Sequence, residues 1–237
     1  MHLKDIDFTT AVCYTGNKTR KHLLTKELAR IGINDPHIIW SFDTPYRNFL
    51  LSKIPHIPEL NTHPGYWGAT LSHYSALKIS YALGASSALI VEDDCRFLKD
   101  VNQIEAHLSI VPEDWDMLML DSFGRKNEKD TSVQGWHTCD STFSTAGYIV
   151  NRRAMEKLID LYESPVSGRY HKPMMRNSDH WANVKYLGTN IKFYCASPNL
   201  CIQCLWGGDT NTGTNYIEKQ YKGMGISIDD YSSFEEL

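Results

Sequence analysis

Ala88-Leu89-Ile90-Val91-Glu92-Asp93-Asp94 is a run of four apolar residues that leads straight into three carboxylates. A short apolar run without alternation is what a parallel strand covered on both faces requires. It therefore predicts a central strand, and with it a layered α/β sheet. Working outward, Gly68 to Leu83 places Leu71, Tyr74, Leu77 and Tyr81 three to four residues apart, a helical stripe closed by Gly84. Toward the N-terminus, Thr10 to Tyr14 reads as a strand. Lys18 to Ile31 reads as an amphipathic helix with Leu24, Leu28 and Ile31 on one face, stopped by Gly32, and His37 to Phe42 as a second strand. Strand, helix, strand is the signature of a parallel βαβ unit.

Residues 43 to 66 carry Pro45, Pro55, Pro58 and Pro64 with little periodicity and read as a long surface excursion. Beyond the acidic triplet, Trp115 to Leu120 and Thr145 to Val150 are strand candidates, the second leading into a helix from Arg152 to Leu161. Ile191 to Ala196 and Asn199 to Gln203 complete the set, before a polar loop beyond Trp206 and an acidic tail. No internal repeat is visible. A length of 237 residues suits one domain.

Composition narrows the function classes. At 42% hydrophobic and 22% charged, the chain lies well inside the globular range. No stretch approaches the roughly 20 apolar residues of a membrane span, and Met1 to Asp7 is too polar to open a signal peptide, so a cytoplasmic protein without an integral membrane segment is expected. Twenty-four basic against 28 acidic residues give a net charge of −4 and no basic block, which argues against nucleic-acid binding. Six scattered cysteines read as free thiols. Cys201-Ile-Gln-Cys204 has the spacing of a metal pair, but zinc needs two further ligands, and neither a second pair nor a His-x₃₋₅-His is present.

The carboxylates carry the chemistry. Strand alternation would place Glu92 and Asp94 on one side and Asp93 on the other. Like charges that close raise each other's pKa unless a cation sits between them. Hard oxygen ligands suit Mg²⁺ or Mn²⁺, which keep positions open for phosphate oxygens. In open α/β sheets ligands bind beyond the carboxyl ends of the strands, where this triplet would lie. The competing reading is a solvated loop start in which the acids pair with Arg96, Lys99 or Arg125. With no P-loop and no Gly-x-Gly-x-x-Gly in the chain, a bound diphosphate would need a metal.

Several segments in order resemble glycosyltransferase family 25, which includes lipooligosaccharide and collagen galactosyltransferases. They are Arg20 in the first helix, Gly68-Ala-Thr-Leu-Ser72-His73, Ala88 to Asp94 followed by Phe97, and Trp115-Asp116. Ala146-Gly-Tyr-Ile-Val-Asn-Arg-Arg-Ala-Met-Glu-Lys-Leu158, Asp179 and Pro198-x-Leu-x-x-Gln203 follow. The resemblance covers most of residues 10 to 204. It implies a GT-A-type fold, with a mostly parallel central sheet flanked by helices, a nucleotide-binding half over about 1–100 and an acceptor-side half over about 101–237. It also implies a UDP-sugar donor, a glycan acceptor such as lipopolysaccharide or another surface glycan, inversion at the anomeric carbon, and Mn²⁺ or Mg²⁺ held by Asp94 with Glu92.

Within that reading, Asp179 is the expected base for the acceptor hydroxyl, although Ser178 or Asp179 could equally cap a helix. His180 and Asp121 are the reserves. Tyr14, Thr15, Arg20, Ser72, His73, Asp93 and Gln203 form the expected donor-binding set. His73 could instead be a packed helix residue, Arg20 a solvated one, and Trp206 a core residue rather than a sugar platform. The chain departs from the family pattern at Cys13-Tyr-Thr-Gly-Asn17, at Gly68-Ala69 and at His180-Trp181. Two other functions compete: a metal-dependent nucleotidyl or phosphoryl transferase using the same acids, and a non-catalytic nucleotide- or carbohydrate-binding module.

Overall fold

The computed structural model describes residues 1–14, 18–41, 64–126, 128–138, 141–163 and 190–203. In chain order the elements are β1 (Phe8–Tyr14), α1 (Lys18–Arg30), β2 (His37–Ser41), α2 (Pro64–Ala82), β3 (Ser87–Glu92), β4 (Cys95–Phe97), α3 (Val101–Ser109) and β5 (Met117–Met119). Then come β6 (Phe123–Lys126), β7 (Lys129–Asp130), β8 (Trp136–Thr138), β9 (Ser141–Phe143), β10 (Gly147–Asn151), α4 (Arg152–Glu163), β11 (Phe193–Ala196) and β12 (Cys201–Gln203).

Among the described residues, eight strands form one sheet in the order β2-β1-β3-β10-β5-β11-β8-β7. β1 is parallel to both β2 and β3, and β5 is parallel to β11. β10 enters between β3 and β5 antiparallel to both. The result is the expected α/β architecture, a mostly parallel central sheet flanked by helices, with β10 reversed in its middle and β8 reversed near one edge. Two ribbons, β4 with β12 and β6 with β9, stand apart from it.

The continuous apolar run at 88–91 has the predicted cause: all four residues are fully buried because both sheet faces are covered. Ile90 shares one face with Leu71, Tyr74 and Leu77 of α2 and with Met155 and Leu158 of α4. Leu89 and Val91 share the other with Leu24 and Leu28 of α1, Ile104 and Leu108 of α3, and Phe97 of β4. Fully burying each Leu, Ile or Val contributes about 1.5–3 kcal/mol, so this strand anchors both layers.

The helix stops follow the sequence closely. Gly32 has φ +88° and Gly84 φ +83°, the left-handed conformation of a C′ glycine. The amide of Ile33 reaches Leu28 O at 2.9 Å and that of Ala85 reaches Ser80 O at 3.1 Å, satisfying carbonyls the helices leave open. α2 begins at Pro64, earlier than the stripe from Gly68 predicts, so the end of the expected 43–66 excursion is helical; a proline suits a first helical turn, where its missing N–H is not needed. β12 lies within the strand expected over Asn199 to Gln203, whereas its partner β4 and the helix α3 carry no expectation from the sequence. α3 starts on a capping box in which Asp100 accepts from the Gln103 amide at 2.9 Å and Gln103 returns a bond to the Asp100 amide.

Candidate functional site at the carboxyl edge of the sheet

Because β1, β2 and β3 run the same way, their carboxyl ends share one edge of the sheet. The reversed β10 starts at this edge, with Gly147 opposite Val91, so the residues just before it lie beside Glu92. β5 and β11 end there too, with Cys195 opposite Met119. Six segments distant in sequence therefore begin or end along one edge of the sheet.

The acidic triplet does not alternate as a strand would. β3 ends at Glu92, and residues 93 and 94 form a turn before β4. The turn sends both aspartates to one cation: Arg20 Nη2 lies 2.8 Å from Asp93 Oδ1 and 2.8 Å from Asp94 Oδ2, with all three side chains no more than 7% exposed. Arg20 comes from α1, so the expectation that Glu92 and Asp94 would face one way and Asp93 the other is corrected here. Arg20, offered also as a solvated residue, is buried. The solvated-loop reading is corrected as well, since Asp93 and Asp94 are buried.

Glu92 is held from two other directions. His73 of α2, fully buried, places Nε2 3.0 Å from Glu92 Oε1 and Nδ1 3.0 Å from the Tyr148 hydroxyl. An ionised carboxylate only accepts, so Nε2–H donates to Glu92, and in the neutral ring Nδ1 accepts from Tyr148. Thr145 Oγ1 donates to the same Oε1. Burial alone would raise the Glu92 pKa, but the His73 and Thr145 bonds outweigh it and hold the carboxyl below its usual range.

Asp94 is the exception to this satisfaction. Its Oδ2 receives Arg20 and, at 3.0 Å, the Nε2 of Gln203 from β12. Its Oδ1 is buried and has no hydrogen-bond partner among the described residues. Burial pushes the Asp94 carboxyl up to about 7; Arg20 pulls against that shift, while Glu92 and Asp93 add to it. A buried acceptor left without a partner costs about 1–3 kcal/mol, and more when charged, so it calls for an explanation.

Among the described residues, no group of three or more His, Cys, Asp or Glu side chains forms a ready-made metal cage. The chemistry of the edge nevertheless fits Mg²⁺ or Mn²⁺, which are commonly held through one or two carboxylates with phosphates and water completing the shell. Asp94 Oδ1 is an oxygen left for such an ion, whereas Asp93 Oδ1 is held by Arg20 and Glu92 meets His73 and Thr145 through Oε1 alone.

The remaining expectations divide as follows. Ser72, like His73, is buried on α2, and Gln203 is half-buried beside Asp94. Tyr14 ends β1 at the same edge. Thr15, Asp179, His180, Trp206 and Cys204 lie outside the described residues. Cys13, Cys95, Cys195 and Cys201 are buried thiols that form no disulfide among the described residues. Asp121, a reserve base, is buried and accepts from Ser144 and Asn199. Sequence reasoning missed the roles of Thr145, Ser144 and Asn199. Tyr148 stood inside a quoted motif with no role given to it. No local pattern marks any of the four, because their partners are more than 20 residues away.

No helix among the described residues is long and apolar enough to cross a membrane. No protein-family model and no curated protein matches the sequence. Among solved structures, the chain is similar to a glycosyltransferase involved in the glycosylation of the major capsid of PBCV-1, at 11% identity over 92% of this chain and 98% of that one, with a TM-score of 0.47. It is similar also to A197 from STIV (8% identity, 83% and 94% coverage, TM-score 0.43) and to mouse xyloside xylosyltransferase 1 (8%, 78% and 71%, 0.38). With these three TM-scores below 0.5, the functional reading rests on this chain's own residues.

Proposed function

We propose that the protein is an inverting glycosyltransferase with a GT-A-type fold, transferring a hexose from a UDP-sugar to a glycan hydroxyl with the help of Mn²⁺ or Mg²⁺. The observation that carries this reading is the buried, unpartnered Asp94 Oδ1 at the carboxyl edge of a mostly parallel sheet. The ordered motifs shared with family 25 support it.

Asp94 would hold the ion through Oδ1, and the ion would offset negative charge on the leaving diphosphate. The chain's own residues supply the rest. Arg20 and Gln203 fix the other Asp94 oxygen, so the carboxylate cannot swing away. Arg20 also compensates Asp93, limiting repulsion within the triplet. His73 and Thr145 keep Glu92 ionised and oriented as an acceptor for a hydroxyl or water at the edge. Asp179 is the proposed base for the acceptor hydroxyl.

The test is a thermal-shift and calorimetry panel of UDP-, GDP- and CMP-sugars with and without Mn²⁺, on the wild type and on Asp94→Asn. Stabilisation by a UDP-sugar only with Mn²⁺, lost in D94N, is the expected outcome. Equal weak binding of all nucleotides, or binding that D94N leaves intact, rejects the proposal.

A further inference from the structure

Asp121 follows β5 and is buried at the same edge as the acidic turn. Its two oxygens reach in different directions. Oδ2 accepts from Ser144 Oγ at 2.5 Å, and Oδ1 accepts from Asn199 Nδ2 at 2.9 Å. Each contact fixes a segment that ends on one of the acids.

The first arm is the turn before β10. Ser144 has φ +85°, the one non-glycine residue with a positive φ among those described. Such a conformation persists where the surroundings over-determine it. Here Ser144 Oγ is held by Asp121 and also accepts from the Ala146 amide at 3.3 Å. The residue between them is Thr145, whose hydroxyl donates to Glu92.

The second arm runs from Asn199 into β12. Asn199 Nδ2 also donates to Ser122 O at 3.1 Å, and the amides of Leu200 and Cys201 donate to Leu120 O at 2.8 and 3.2 Å. The segment is thus pinned to residues 120–122 before it reaches Gln203, which donates to Asp94 Oδ2.

We propose that Asp121 is a positioning residue: a single buried carboxylate that sets the placement of both Thr145 and Gln203, and through them of Glu92 and Asp94. It acts at a distance and touches neither acid's ligand. The consequence for binding rests on the Asp94 reading above; the positioning itself does not.

The test uses the full-length chain and reads the two arms separately by NMR, following the His73 imidazole for the Glu92 arm and the Gln203 side-chain amide for the Asp94 arm. Ser144→Gly removes the first contact in a residue that tolerates φ +85° and should move the His73 signals alone. Asn199→Ala should move the Gln203 signal alone. Asp121→Asn should move both and weaken Mn²⁺ affinity by about 10- to 100-fold, the usual effect of losing a supporting contact behind a metal ligand. If D121N does not fold, the arm-specific responses of S144G and N199A decide the matter. D121N that leaves both signals in place, or S144G or N199A that moves both, overturns the proposal. D94N run alongside separates the two failures: absence of Mn²⁺ binding in the wild type rejects the site reading, while the NMR arms still test the positioning.

Discussion

Replacing Arg20 with methionine keeps an unbranched apolar stem, shorter than the arginine, and removes the charge from between Asp93 and Asp94. In the wild type one nitrogen, Nη2, stands 2.8 Å from an oxygen of each aspartate, and the three side chains are at least 93% buried. A single contact pair is worth about 4 kcal/mol at the effective dielectric typical of protein sites, but much of that repays desolvation. The methionine variant forgoes the attraction and keeps the desolvation. Breaking a buried pair from one side costs about 3–5 kcal/mol, which for a chain of this size lowers Tm by about 6–20 °C. Urea unfolding followed by tryptophan fluorescence measures the free energy directly. Removing one of the stranded charges as well, in R20M/D94N, should return part of the loss, because the penalty comes from uncompensated carboxylates. A loss below about 1 kcal/mol in R20M, or a double variant no more stable than R20M, would refute the clamp.

Gly147 is the second place where geometry sets a magnitude: a Cβ there would lie 2.7 Å from Cys201 Sγ and 3.3 Å from Cys95 Sγ, so Gly147→Ala should cost about 1–3 kcal/mol in a thermal melt, and Cys201→Ala in the same chain should recover most of it. His107 is half-buried against Trp136 and donates Nε2–H to Gly135 O at 2.8 Å; burial holds its pKa below 6.5. Its contribution to stability is therefore complete above pH 6.5 and is lost as pH falls toward the folded-state pKa, so the wild type should lose more Tm between pH 7 and 5 than His107→Gln does, and parallel pH profiles would contradict this. The Cys13 thiol, pushed up to about 12 by burial with Asp93 nearby, should resist iodoacetamide at pH 8 in the folded chain and react after urea unfolding; equal rates in both states would count against it.

Legibility in the sequence followed the range of the interactions. The strand at 88–91 was readable because burial on both faces leaves a mark on every consecutive residue. α1 was readable because Leu24 and Leu28 recur at one face and Gly32 must take a positive φ. The orientation of β10 was not readable, since Gly147 to Val150 is apolar and buried whichever way it runs. β4 has three residues, too few for a period to emerge. α3 did carry a local mark, the Asp100-x-x-Gln103 capping box, ahead of its buried Ile104 and Leu108.

At the site, sequence showed which residue types gather at the edge but not what each would hold. Alternation failed after Glu92 because it applies only while the chain stays extended, and the turn at 93–94 brought two neighbours onto one arginine. The groups that restrain the acids come from α1, α2, the turn before β10, and β12, at separations of 19 to 109 residues for His73 and Gln203. None of these contacts forms until the sheet has its order, because β10 must lie beside β3 before Thr145 meets Glu92, and β12 must pair with β4 before Gln203 meets Asp94. The placement of Asp94 Oδ1 is thus a property of the assembled layers. It follows that overpacking Gly147, which lies between β3 and the two ribbon cysteines, should disturb ion binding at Asp94 as well as stability, although Gly147 touches no ligand.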